Sequence, residues 1–213
     1  MAFPILPRPR VVASFGVTAG LLTVAAAPPA HAQSLRVGGG VAAPLEPSAF
    51  TDLYSLGFHG GLELMDTVGK SKRTALGFAV YHHRFAIDTE GVRDQWRAQG
   101  VPNDVPYEIH GGTFVATEAY FYARYALARS GASPFLLGGA GAGITDATKL
   151  TVRLGDTTKE TDAKANVDPM MTIGLGIDIP LGPVKLFGQA RVSLILTDGD
   201  NTIMTPITVG VGF

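Results

Sequence analysis

The chain has 213 residues, with 17 Lys and Arg against 18 Asp and Glu and a formal net charge of −1, so it lacks the clustered positive excess that binding nucleic acid requires. It contains no cysteine, which excludes a disulfide framework and an acylated-cysteine anchor. Its 27 glycines follow no three-residue period, which excludes collagen and suits strands whose backbones or inward positions must stay small.

The first element is a leader. Arg8 and Arg10 precede an apolar stretch, 11–27, and the small-residue tripeptide Ala30-His31-Ala32 follows. That order predicts a secretory signal peptide over 1–32, cleaved after Ala32. Residues 33–213 then form one domain of about 180 residues. No later apolar run reaches the roughly 20 residues of a membrane helix, so any membrane crossing must be made by strands.

A period of two predicts eight strands: 33–43, 53–65, 74–87, 113–127, 134–145, 169–180, 184–197 and 205–213. The alternation is clearest where Met171, Ile173, Leu175, Ile177, Ile179 and Leu181 interleave with Thr172, Gly174, Gly176, Asp178 and Pro180. The next strand sets Leu186, Val192 and Leu194 against Lys185, Gln189 and Arg191, and the last sets Ile207, Val209, Val211 and Phe213 against Thr208, Gly210 and Gly212. In 74–87 both parities carry large apolar residues, which leaves its facing open. Each strand is near the 9–11 residues that a tilted strand needs to cross the hydrocarbon core.

The connections after strands 2, 4 and 6 are short, whereas 88–112 and 146–168 are long and polar, the asymmetry of short periplasmic turns and long external loops. A helical turn near 90–99, beside Trp96, is expected in the first long loop. Leu150, Val152 and Leu154 predict that the second extends its hairpin above the membrane. The fold class is therefore all-β, an eight-stranded antiparallel up-and-down transmembrane barrel, closed by pairing strand 8 with strand 1 because open edges in hydrocarbon leave amides unpaired. A secreted soluble β-sandwich is the rival, and it would bury the oily faces against each other.

With its leader, eight alternating segments, the Pro134-Phe135-Leu136-Leu137-Gly138-Gly139-Ala140-Gly141 strand and the terminal Thr208-Val209-Gly210-Val211-Gly212-Phe213, the chain resembles the small outer-membrane β-barrels of the OmpA/OmpX/OmpW type. The resemblance implies a monomer in the bacterial outer membrane, contacts with outer-membrane lipids, and an extracellular ligand, if any, held by the loops. It also implies recognition of the C-terminal strand ending in Phe213 by the barrel-assembly machinery. It implies no catalytic activity and transfers no catalytic residue.

Sharper chemistries find little support. Gly38-Gly39-Gly40-Val41-Ala42-Ala43 fits a loose dinucleotide pattern, but Pro44 and Pro47 follow where a helix should open. His82 and His83 point to opposite faces of a strand and cannot share an ion, and His59 and His110 complete no ligand spacing. No residue is marked as a catalytic nucleophile, and Tyr120 and Tyr122 fall on the parity opposite to Phe121 and Tyr125, which splits any base-stacking platform. No cofactor, metal or nucleic acid is expected.

The inward parity collects Arg36, Arg124, Lys185 and Arg191 with Glu63, Glu118 and Asp178, four cations and three anions, as expected where buried ions must pair. A Pro180-Leu181-Gly182-Pro183 turn sets 178 opposite 185 and predicts an Asp178–Lys185 pair near the periplasmic rim. Tyr120, Tyr122 and Phe187 should pack opposite inward glycines and leave no wide channel. Three functions follow in order: a non-enzymatic barrel serving envelope integrity or surface interaction through its loops, a narrow pore or carrier for small or apolar molecules, and a lipid-modifying enzyme.

Overall fold

The structure, a computed structural model, describes residues 34–98, 100, 107–128, 130–154, 157–161 and 165–213; the predicted leader, 1–32, lies outside the described residues. In chain order the elements are β1 (Ser34–Glu46), α1 (Ser48–Leu53), β2 (Gly57–Val68), β3 (Thr74–Phe85), α2 (Thr89–Ala98), β4 (Tyr107–Gly111), β5 (Phe114–Ala126), β6 (Ser133–Ala147), β7 (Leu150–Leu154), β8 (Thr157–Thr161), β9 (Asn166–Leu181), β10 (Val184–Ile195) and β11 (Thr202–Gly212).

Eight of these strands close a barrel in the order β1-β11-β10-β9-β6-β5-β3-β2, every neighbouring pair antiparallel. Closure leaves the sheet with no free edge, the condition for strands in hydrocarbon. The seam between β1 and β11 is held to its end, where Phe213 N donates to Leu35 O at 2.8 Å.

The outer wall is oily. Met171, Ile173, Leu175, Ile177, Ile179 and Leu181 of β9 are all exposed, and so are Val37, Leu62, Leu64, Phe121, Ile207 and Val209 on other strands. The six β9 residues span roughly 33 Å of strand at ~3.3 Å per residue, hence about 25 Å of height at the usual tilt. Such a belt is a liability in water and costs nothing against lipid, so the β-sandwich reading fails: the oily faces point out, and the core fills the lumen. β3 resolves the same way, with Leu76, Phe78 and Val80 exposed and Ala75, Ala79, Tyr81, His83 and Phe85 buried.

The lumen is filled because aromatic rings enter where glycines leave room. A Cβ on Gly77 would lie 2.6 Å from the Tyr122 ring, one on Gly61 2.4 Å from Tyr81, one on Gly176 2.4 Å from Phe135, and one on Gly210 2.6 Å from Phe187. An eight-stranded barrel is just wide enough for side chains to fill. Nothing larger than glycine fits under these rings.

Three sequence expectations change. The segment 53–56 is not strand: Pro47 opens α1, which turns Phe50 into the barrel mouth, and β2 begins at Gly57. Leu150, Val152 and Leu154 do not extend the β6–β9 hairpin; β7 pairs with β8 and with β4 of the preceding loop, making a separate three-stranded sheet. The β9–β10 turn consists of Gly182 and Pro183 alone, so Leu181 faces Val184, Asp178 faces Phe187 and Lys185 faces Pro180. A left-handed φ of 63° at Gly182 permits this two-residue hairpin.

Gly77→Ala is expected to cost about 1–3 kcal/mol through overpacking against Tyr122 and the Leu64 carbonyl, which a backbone cannot yield. Gly60→Ala, outward with no neighbour nearer than 3.8 Å, should stay within a few tenths of a kcal/mol of neutral. Urea unfolding of the two variants in lipid vesicles measures the contrast, and equal effects would contradict the ring-in-glycine packing.

Candidate functional site

The lumen divides into three tiers along the barrel axis. The lowest lies toward the short turns and gathers Arg36 from β1, Glu63 from β2, Arg124 from β5 and Asp178 from β9, all buried. Arg36 Nη2 donates to both Asp178 oxygens at 2.8 Å, and Arg124 Nη2 donates to Asp178 Oδ2 as well. Arg36 Nη1 stands 3.9 Å from Glu63 Oε2. Both guanidinium groups lie over aromatic faces, Arg124 at 3.8 Å from the Phe135 centroid and Arg36 at 4.8 Å from that of Phe187. A ring face attracts a cation more strongly when both are desolvated.

Glu63 links this tier to the next. It accepts from Tyr81 Oη at 2.7 Å, Gln189 Nε2 at 2.8 Å and Tyr122 Oη at 3.3 Å. Above it, Arg191 lies 4.2 Å over the Tyr81 ring, donates to the Tyr120 hydroxyl and reaches Glu118 Oε2 at 3.5 Å, while His83 Nε2 stands 3.3 Å from the same oxygen. His59 shares a 2.8 Å hydrogen bond with Thr208, its ring centroid 5.0 Å from that of His83.

The third tier is an apolar plug beneath the long loops. Phe50 of α1 packs on Phe85 at 5.0 Å and on Phe114 at 4.8 Å between ring centroids, with Tyr54 beside them. Met170, Ile195 and Met204 complete it and are essentially inaccessible. Burial pushes the Tyr54 phenol above its usual pKa. The plug places an apolar layer between the charged tiers and the long-loop mouth.

Of the seven charged residues that the inward parity collects, six are buried together: Arg36, Arg124 and Arg191 with Glu63, Glu118 and Asp178. Three cations thus meet three carboxylates. Lys185 is not among them. It is exposed at the mouth, and the expected Asp178–Lys185 pair is replaced by Asp178 with Arg36 and Arg124, because the two-residue turn moves the register. Gln189 lies on the inward parity of Lys185 and Arg191, but the sequence does not single out Tyr81, His83 and Phe135 as lumen partners; the first two lie on the strand whose facing the sequence left open. His59 and His83 come together with Glu118, yet no group of three His, Cys, Asp or Glu among the described residues is arranged to hold a metal.

No protein-family model matches the chain, and no curated protein matches it. Among solved structures it is similar to Neisserial surface protein A, at 15% identity over 84% of this chain and 95% of that one, with a TM-score of 0.49. It is also similar to Ail, the attachment invasion locus protein of Yersinia pestis, at 12% identity over 85% and 97%, TM-score 0.48. The N-terminal β-barrel domain of OprF from Pseudomonas aeruginosa gives 12% identity over 84% and 97%, TM-score 0.42. At such identities no residue role carries over. From its own closure and oily belt, the chain folds as a small transmembrane β-barrel of outer-membrane type.

Asp178→Ala is expected to destabilise the folded barrel by about 3–5 kcal/mol, since it strands the buried Arg124 and leaves Arg36 with only the longer contact to Glu63. Lys185→Gln, at an exposed position, should change stability by less than about 1 kcal/mol. Unfolding midpoints of the pair in one lipid system check this; a Lys185 effect as large as the Asp178 effect would contradict the assignment.

Proposed function

We propose that the protein is a non-enzymatic barrel of the bacterial outer membrane that serves the envelope by presenting its outer loops for surface interaction. The observation that carries this reading is the sealed lumen. A barrel packed with paired ions below and an aromatic plug above offers no path for a solute, which argues against the narrow-pore or carrier alternative. The imidazole–hydroxyl pair of His59 and Thr208 is buried in the lumen beneath the aromatic plug, away from any lipid, which argues against a lipid-modifying enzyme. Exposed on the long-loop side, among the described residues, are the β10–β11 loop, much of α2, and the sheet of β4, β7 and β8, which backbone pairing orders across two different loops. Loops on a rigid scaffold are the usual carriers of recognition.

The test has two arms on one protein. In planar bilayers the purified barrel should give no large, stable conductance. On intact cells, protease should cut within 88–112 or 146–168 and spare the turn at 182–183. Stable channels would overturn the sealed-lumen reading, and cleavage at 182–183 would invert the orientation.

Assembly is assigned to the last strand. Phe213 is exposed on the oily parity of Ile207, Val209 and Val211, and its backbone closes the seam with Leu35. An exposed terminal aromatic at the membrane interface suits recognition by the barrel-assembly machinery. Deleting Phe213 should lower the amount of barrel in the outer membrane while leaving the spectra of protein refolded in detergent unchanged; normal cellular levels would count against this role.

A further inference from the structure

The charge balance of the lumen stops at the short-turn mouth. A cavity of about 440 Å³ opens there, and among the described residues its walls include Lys72, Arg73, Arg124 and Lys185 with Asp178 as their only carboxylate. That carboxylate is already engaged: Arg36 holds both its oxygens and Arg124 shares one of them. The side chains of Lys72 and Lys185 have no hydrogen bond or ion pair among the described residues. The Arg73 guanidinium gives one hydrogen bond, of 3.4 Å, to the Tyr125 hydroxyl. Among the described residues, four cations against one carboxylate leave three positive charges uncompensated around one concavity, whereas the lumen above is matched three to three.

We infer that this mouth is an anion-binding cavity for a phosphate group. Its cations come from different parts of the wall: Lys72 and Arg73 from the β2–β3 turn, Arg124 from β5 and Lys185 from β10. They therefore surround a ligand instead of lining one edge, and such an arrangement suits a compact anion with several acceptor oxygens. Arg124 is the fixed element, nine-tenths buried with its guanidinium locked over Phe135. Lys72 and Lys185 are the adaptable ones. The Ser130 hydroxyl adds a neutral partner on the wall. A site of this volume lies within the range of small-ligand pockets, and a low-dielectric wall behind clustered charge strengthens the local field. The phosphate could be carried by a phospholipid headgroup from the adjoining leaflet or by a soluble molecule. The inference does not depend on the loop-display function, since either conductance or surface cleavage could fail without altering the charge of this mouth.

The test uses the full folded barrel. In neutral detergent it is titrated with inorganic phosphate by calorimetry at low salt. In phosphatidylcholine nanodiscs doped with phosphatidylglycerol, lipid retained after gentle release is read by native mass spectrometry. Binding in the first arm identifies a soluble source and retention only in the second identifies a headgroup. In either case Lys72→Gln with Lys185→Gln should weaken binding at least about tenfold, as expected for two lost charge-assisted contacts. Arg153→Gln, which removes one positive charge from β7 far from the mouth as Lys185→Gln does at it, should leave it unchanged. Circular dichroism verifies folding, and Lys185→Gln alone, with a smaller loss, substitutes if the double variant does not fold. The inference is overturned if neither probe binds, if the lysine variants bind like the unmodified protein, or if Arg153→Gln weakens binding equally.

Discussion

The structure depends on Asp178 holding two arginines at once inside a closed wall. Arg36 stands on β1, Arg124 on β5 and Asp178 on β9. Around the barrel, two strands separate β1 from β9, one separates β9 from β5 and two separate β5 from β1. The three side chains thus tie the wall together from three directions, like a tripod closing on its centre. Ions without water demand partners with good geometry, and a barrel of eight strands brings opposite walls within side-chain reach. The wall determines which ions can meet, and the ions in turn fix its cross-section.

The aromatic rings follow from the same constraint. Desolvated guanidinium groups need more than carboxylates, and Phe135, Phe187, Tyr81 and Tyr120 supply faces or hydroxyls to them. Rings of that size fit only where the opposite or adjacent position is glycine, so the glycines and the arginines belong to one packing solution. The axial order also has a cause. Charged tiers sit toward the short turns, where solvent lies close, and the apolar plug sits beneath the loops, where α1 folds Phe50 inward. Sealing the long-loop end leaves the loops as the part of the molecule on that side with free surface.

Much of this was legible in the sequence, for a reason visible in β9 and β10. A strand has a period of two, so the facing of Asp178, Lys185 and Arg191 survives any register error of two residues. The hairpin is such a case: taking Pro180-Leu181-Gly182-Pro183 as the turn sets 178 against 185, whereas Gly182 and Pro183 alone set it against Phe187. The side of the wall was therefore right and the partner wrong. Pairings such as Arg36 with Asp178, 142 residues apart, follow from curvature and stagger and leave no local trace. β3 was ambiguous because this lumen accepts Tyr81 and Phe85 as readily as lipid accepts Phe78. α1 was missed because Tyr54 and Leu56 continue the alternation of β2 backwards into the loop.

The outer sheet obeys a different logic from the lumen. β4 and β7 belong to loops that leave the barrel separately, and their backbone pairing, Glu108 opposite Arg153 and His110 opposite Thr151, joins them. The polar side-chain contacts on it, the Lys149–Glu160 ion pair at 2.7 Å and Glu108 with His110 at 3.7 Å, are exposed, and such contacts contribute little. Its order comes from the main-chain ladder, which any side chain that tolerates a strand will preserve. In the lumen a single substitution leaves a charge unpaired or a ring without space; on the outer sheet the same change alters only the face presented. Strict demands inside and permissive ones outside allow the surface to change its chemistry while the barrel beneath it stays fixed.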